Sequence, residues 1–322
     1  MSGSQQPLSL ADIRAAHARI APYVLRTPVL ARTLANGTEL LCKPESLQPI
    51  GAFKLRGAFN CLLTLPPGTR GVVTHSSGNH AQAVARAGRL LNIPAVVVMP
   101  DDAPAIKRAR TEADGAQIIV VGPDSAQRRE RARVEATKRG YVLVESYDDP
   151  VIAAGQGTAG LELCEDAGPL DRFYAPISGG GLMSGCAVAV HGLFPDAEII
   201  GVEPMDGGDT RESLLLGKRT RVPPPQTIAD GLRVRTPGIH TFPIIQQHVS
   251  RIELVDDDEM IEAMAWALTH LRIVLEPSGA ASLALALRER NGGRCGVLLS
   301  GGNVDHAILN QAVQASKRGT PS

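Results

Sequence analysis

Aromatic side chains are scarce in this chain. Phe, Trp and Tyr make up only 3% of 322 residues, so the core must be built from aliphatic side chains and alanine. Neither sign of charge is in excess, because 33 Lys and Arg balance 33 Asp and Glu. A chain with no net charge offers no field to a polyanion, which argues against a nucleic-acid partner. The run Arg128, Arg129, Arg131, Arg133 is interrupted by Glu130 and Glu135 and reads as a solvated helix face. Cysteines are few: Cys42, Cys61, Cys164, Cys186 and Cys295 are odd in number and form no CxxC pair. That excludes a disulfide framework or a metal knuckle as the organising feature. The amino terminus lacks a basic segment followed by an apolar one, and no apolar run approaches the roughly 20 residues of a membrane span. The expected setting is reduced and cytoplasmic, away from any membrane.

What is present is a long alternation of short apolar runs and helical periods. With 43% hydrophobic residues the chain can bury a substantial core, and its length favours two lobes. Residues 1–7 read as a loose tail. A helix is expected over Ser9–Ile20, with Ser9 as its cap, and a strand over Glu39–Lys43. From residue 71 strands and helices alternate. Strands are expected at 71–74, 95–99, 117–121 and 141–145, and helices at 80–91, 103–113 and 125–139. The unbroken run Ala95–Met99 suits a strand buried on both faces. A second series places helices at 149–167, 256–272 and 278–290 and an apolar helix ending at Phe194, with strands at 173–177, 198–202 and 296–299. Residues 204–250 are rich in Pro and Gly and promise few regular elements. The pattern implies an α/β protein with two doubly wound, mainly parallel sheets. One domain is expected from residues 1–70 with 148–322, and a smaller one from 71–147. Ligands of such folds sit at the carboxyl ends of the strands.

Four segments could carry chemistry. Lys54, among small and apolar neighbours in Gly51-Ala52-Phe53-Lys54-Leu55-Arg56-Gly57, is a lysine whose ammonium is poorly solvated. Desolvation favours the neutral amine, which can form a Schiff base with an aldehyde; the plain alternative is a surface lysine on an amphipathic helix. His75-Ser76-Ser77-Gly78-Asn79-His80 joins a strand to a helix, where free amides attract an anion, or where a side chain merely caps the helix. Its two histidines have no third ligand nearby, so zinc is not expected. Ser178-Gly179-Gly180-Gly181-Leu182-Met183-Ser184-Gly185 also joins a strand to a helix and can receive a phosphate. Gly179, Gly181 and Gly185, with Glu203 ending the next strand, imitate a dinucleotide site, so a nicotinamide oxidoreductase is a competing reading. The fourth segment is Ser300-Gly301-Gly302-Asn303, after the last strand.

In this order the segments resemble the serine racemase and threonine (serine) dehydratase family of fold-type II pyridoxal-phosphate enzymes, whose architecture is like that of the tryptophan synthase β chain. The likeness extends through Ala154-Gly155-Gln156-Gly157-Thr158, Thr227-Ile228-Ala229-Asp230-Gly231 and Glu276-Pro277-Ser278-Gly279. The resemblance implies that Lys54 binds the cofactor covalently and Phe53 packs on its ring. It implies that Asn79 meets the ring hydroxyl, Ser300 the ring nitrogen, and Ser178, Gly179, Gly180, Gly181 and Leu182 the phosphate. Ser76, Gly78, Asn79 and His80 would take the substrate carboxylate, with Tyr147 beside the substrate. The implied reaction is loss of water and ammonia from a 3-hydroxy amino acid, giving a 2-keto acid. The alternatives are a serine racemase, with Ser77 serving the face of Cα opposite Lys54, a hydroxyaspartate dehydratase, and a non-catalytic amino-acid-binding protein. A cation site for Mg²⁺ or Ca²⁺ is implied at Glu203, Gly207 and Asp209, and a homodimer is expected. The chain ends soon after Asn303, so no appended regulatory domain is expected.

The sequence also departs from the family. Ile50-Gly51-Ala52 stands where Thr-Gly-Ser is common, Ser178 replaces the first glycine of the phosphate loop, Tyr147 stands in place of an Asn, and Val234 and Arg235 in place of serines. Ile50, Ala52, Tyr147 and Val234 would together make an apolar pocket suited to threonine or to a bulkier substrate such as phenylserine.

Overall fold

The computed structural model of the chain describes residues 7–317, apart from 77, 104, 123 and 290. The tail expected at 1–7 therefore lies almost wholly outside the described residues. The first element, α1 (Leu10–Ile20), is opened by a capping box in which Ser9 and Asp12 exchange hydrogen bonds, and it buries Ile13, Ala16 and Ile20 along one face. Then follow β1 (Leu30–Thr33), β2 (Glu39–Pro44) and α2 (Lys54–Leu63). Next come β3 (Val72–His75), α3 (Asn79–Leu91), β4 (Ala95–Pro100), α4 (Ala105–Ala113), β5 (Gln117–Val121), α5 (Ser125–Arg139) and β6 (Val142–Leu143). The chain continues through α6 (Pro150–Ala167), β7 (Arg172–Pro176), α7 (Gly181–Leu193), β8 (Glu198–Pro204), α8 (Asp209–Leu215), α9 (Thr241–His248) and β9 (Arg251–Val255). It closes with α10 (Asp257–Trp266), α11 (Pro277–Glu289), β10 (Arg294–Leu299) and α12 (His306–Ser316).

The strands form two sheets. One has the order β5-β4-β3-β6 and is wholly parallel. The other has the order β1-β2-β10-β7-β8-β9, in which only β1 runs antiparallel, against β2. Two doubly wound, mainly parallel sheets were expected, and two are found. Strand β4 is buried at every position, as its apolar run required. The stretch 204–250 holds few regular elements, chiefly the short helices α8 and α9, as expected. Two findings differ from the expectations. The strand expected over 141–145 is only two residues long. Helix α10 ends at Trp266 and passes into a wider turn over Ala267–Leu271.

The parallel strands of both sheets end at a shared cleft, lined by the segments that follow β3, β6, β7 and β10. Among the described residues no helix is long and apolar enough to cross a membrane.

Candidate active site

Lys54 is the first residue of α2 and lines the cleft. The segment before it is tied to the end of β10: Phe53 N donates to Ser300 O at 3.0 Å, and Ala52 bridges to Gly301. Gly51, at φ +76°, makes this turn possible. Lys54 Nζ donates to Ser146 O at 2.7 Å and lies 5.1 Å from the centre of the Phe53 ring. Among the described residues no carboxylate is paired with it, and burial brings the ammonium down to about 8. The arrangement holds a lysine that is readily neutral, as an aldehyde-binding amine requires.

Across the cleft, the loop from β7 to α7 turns through two left-handed residues, Ser178 at φ 55° and Gly180 at φ 95°. Helix α7 has no side-chain cap, so its first amides remain for a ligand. The loop is packed too closely for side chains. A Cβ on Gly179 would lie 2.3 Å from the Tyr147 ring, and one on Gly180 2.7 Å from Thr241 Oγ1. Ser178 Oγ donates to Gly231 O, and Thr241 Oγ1 donates to Gly179 O. The cradle suits an anion of phosphate size.

The third wall is the turn from β3 to α3. Ser76, Gly78, Asn79 and His80 line the cleft, and Gly78 N donates to Ser76 Oγ at 3.1 Å. His80 is buried, and its imidazole is pushed down to about 3, first by burial and then by Lys54 and His75, so it is neutral. Ser77 lies outside the described residues. Asn79 Nδ2 donates to Glu276 Oε1 at 2.6 Å, and Asn79 Oδ1 accepts from Asn303 Nδ2 at 2.8 Å. Ser300 is buried at the cleft, with its Oγ 3.3 Å from Ser278 O.

The structure thus brings Phe53, Lys54, Ser76, Gly78, Asn79, His80, Tyr147, Ser178, Gly179, Gly181, Leu182 and Ser300 to one cleft. Gly180 lies within the same loop. Tyr147 and Val234 line the cleft, but Ile50 and Ala52 do not. Both face the core instead: Ile50 packs in the cluster around Leu55 and Phe59, and Ala52 is held in its bridge to Gly301. The pocket is therefore less apolar than the sequence suggested. Three charged lining groups, Lys107, Asp230 and Glu276, were missed as site residues. Lys107 Nζ meets Asp230 Oδ2 at 2.5 Å, and Glu276 is 3% exposed. Burial, with Asp230 nearby, raises the Glu276 carboxyl to about 7. Asp230 and Glu276 stood inside motifs, but Lys107 sits in a run that reads as ordinary helix surface.

Glu203 and Asp209 are both 1% exposed and sit at the two ends of one turn, with Gly207 between them. Glu203 accepts from the amides of Thr210 and Arg211, whereas neither carboxylate oxygen of Asp209 has a hydrogen-bond partner among the described residues. Burial and the charge of Glu203 push Asp209 upward. Two buried acids, of which Asp209 has both oxygens unpartnered, are chemically suited to a divalent cation. Among the described residues, no group of three His, Cys, Asp or Glu side chains is placed to hold a metal.

The model of the family described as "Pyridoxal-phosphate dependent enzyme" matches residues 20–301. An L-threo-3-hydroxyaspartate ammonia-lyase of Saccharomyces cerevisiae is 42% identical over 91% of this chain and 93% of its own length. A serine racemase of Schizosaccharomyces pombe is 40% identical over 91% of this chain and 94% of its own. The crystal structure of a T.th. threonine deaminase superimposes with a TM-score of 0.88 at 43% identity, covering 92% of this chain and 99% of that one.

Proposed function

The chain belongs to the pyridoxal-phosphate-dependent enzymes, and on that premise we propose that it is an ammonia-lyase that converts a small 3-hydroxy amino acid to a 2-keto acid and ammonia. One observation carries the proposal: Lys54, desolvated and without a carboxylate partner among the described residues, faces the same cleft as the glycine loop of α7. Bound pyridoxal phosphate supplies an aldehyde that takes up amines and a ring that spreads the charge left when Cα loses its proton. Lys54 would hold the cofactor through Nζ, and its free amine would accept the Cα proton of the substrate. The amides of Ser178, Gly179, Gly181 and Leu182 would bind the phosphate, while Gly180, expected to join them, donates its amide to Ile177 O and turns the loop. Phe53 packs against the ring, Asn79 donates to the ring hydroxyl, and Ser300, an uncharged group, faces the ring nitrogen. Ser76, Gly78 and the start of α3 orient the substrate carboxylate, beside a neutral His80. Ser77 remains the residue assigned to the opposite face of Cα, and inversion of chirality would be its signature.

The charge on the cleft wall bears on the substrate. Lys107 is neutralised by Asp230, and Glu276 adds a second acid. A second substrate carboxylate would meet those acids, whereas a methyl group would meet Tyr147, Leu232 and Val234. Threonine is therefore favoured over 3-hydroxyaspartate. The test is 2-keto acid formation from serine, threonine, phenylserine and 3-hydroxyaspartate, with chirality followed in parallel. Highest kcat/KM on 3-hydroxyaspartate would refute the charge argument. Inversion without keto acid would refute the lyase.

Glu203 and Asp209, with the Gly207 carbonyl, would hold Mg²⁺ or Ca²⁺ in a structural role. Residues 71–147 would act as the smaller domain and the remainder as the larger one, and two chains would pair as a homodimer. All five cysteines are buried and free, which supports a reduced, cytoplasmic setting.

A further inference from the structure

The carboxamide of Asn79 is fixed from both sides. Its Nδ2 donates to Glu276 Oε1 at 2.6 Å, and its Oδ1 accepts from Asn303 Nδ2 at 2.8 Å. Asn303 is fixed in turn. Its Nδ2 also donates to Ile50 O at 2.7 Å, and its Oδ1 accepts from Arg110 Nη1 at 2.6 Å. A guanidinium can only donate, and an ionised carboxylate can only accept. Arg110 at one end and Glu276 at the other therefore set the sense of every bond between them. Donation runs from Arg110 to Asn303, from Asn303 to Asn79, and from Asn79 to Glu276. Turning either amide by half a turn would oppose donor to donor and acceptor to acceptor.

Two glycines leave room for this row. A Cβ on Gly51 would lie 2.6 Å from Asn303 Oδ1, and one on Gly301 would lie 2.3 Å from Glu276 Oε1. The row also joins the two sheets, because Asn79 and Arg110 come from α3 and α4, while Glu276 and Asn303 flank α11 and β10. Should Glu276 take up a proton on Oε2, its Oε1 still accepts from Asn79, so the sense of the row is kept. An amide nitrogen carries two hydrogens, and Glu276 occupies one of them. The other is left for a further acceptor, and Asn79 lines the cleft.

We propose that Asn303 and Glu276 are positioning residues that hold Asn79 with its N–H, rather than its carbonyl, toward the ring hydroxyl of the cofactor. The inference rests on the reading above that Asn79 meets that hydroxyl. A donor there stabilises the deprotonated oxygen, and a carbonyl there would repel it.

Asn303→Asp keeps the size of the side chain but removes its donor. Two quantities are measured: the Kd for pyridoxal phosphate of the apo-protein, and the pH midpoint of the visible absorption band of the loaded protein. In Asn303→Asp the Kd rises roughly tenfold, the effect of one hydrogen bond to a charged oxygen. The midpoint moves upward by about one unit, because an oxygen deprived of its donor holds the neighbouring proton more tightly. Glu276→Leu shows the same changes, while Glu276→Gln, which keeps an acceptor, stays within about twofold of the parent protein. Asn303→Ala replaces the aspartate variant if the latter does not fold, with the same expectation. Asn79→Ala serves as calibration. If it shows both changes and the Asn303 and Glu276 variants show neither, the proposal is overturned while the role of Asn79 stands. If Asn79→Ala behaves as the parent, the reading of Asn79 falls and the proposal with it. Thermal unfolding of the apo-proteins is the second readout. Variants that lose only melting temperature, with Kd and midpoint unchanged, overturn the proposal.

Discussion

The depressed Lys54 ammonium makes a kinetic prediction that separates it from an ordinary surface lysine. Only the neutral amine attacks an aldehyde, so the rate at which apo-protein captures pyridoxal phosphate follows the neutral fraction of Lys54. With the group at about 8, roughly one lysine in ten is neutral at about pH 7. At the ordinary 10.5 the fraction would be about one in three thousand, so burial accelerates capture roughly 300-fold. The same burial opposes folding. The unfolded chain binds the proton more tightly between about pH 8 and 10.5, so stability gains with pH across that window and carries the full penalty below it. Lys54→Met removes the ammonium, and its apo-protein should be more stable than the parent at about pH 7 by up to ~3 kcal/mol, the lost hydrogen bond to Ser146 lowering that figure. The assay is stopped-flow absorbance of apo-protein mixed with cofactor over a pH series. Capture should rise about tenfold per pH unit up to about 8 and then level off. A rate that still climbs tenfold per unit above about pH 9 would refute the argument.

Four further outcomes are expected. Gly179→Ala drives a methyl group into the Tyr147 ring, 2.3 Å away, and should weaken cofactor binding at least tenfold by order of magnitude, read as Kd by absorbance titration. Arg56 is wholly buried, with Glu45 Oε2 at 2.7 Å and Glu162 Oε2 at 2.8 Å, and Arg56→Met leaves those carboxylates with too little positive charge. It should lose about 3–5 kcal/mol in urea unfolding. Mg²⁺ or Ca²⁺ should raise the Tm of the parent protein but not that of Asp209→Asn, measured by calorimetry. Lys107→Met leaves Asp230 unpaired beside the cleft and should raise KM for threonine more than it lowers kcat, read from steady-state kinetics.

The sequence was most readable where a residue acts through its immediate neighbours. The apolar run at Ala95–Met99, the cap at Ser9 and the acidic start of α10 each report their own backbone, and the elements lie where those signals place them. Strands β1 and β9 gave no such signal. Both are edge strands: β1 is exposed over its last three residues, and in β9 the half-buried charged residues Arg251 and Glu253 hide the apolar pattern. The cleft was legible wherever a glycine turn ends a parallel strand. Its polar wall was not, because Lys107 finds Asp230 across 123 residues and Arg110 finds Asn303 across 193. Ile50 shows the opposite failure: an apolar neighbour of the lysine in sequence, it turns into the core rather than the cleft.

Strand β2 draws its parallel partner from the far end of the chain, with Glu39 opposite Arg294 and Pro44 opposite Leu299. On the ribosome that partner emerges some 250 residues later, so the larger sheet waits with a vacant place at its middle while the four-strand sheet can already close. The turn before Lys54 waits as well, since Phe53 hangs from Ser300. The segment that carries Lys54 is therefore fixed against the cleft only after β10 has been made.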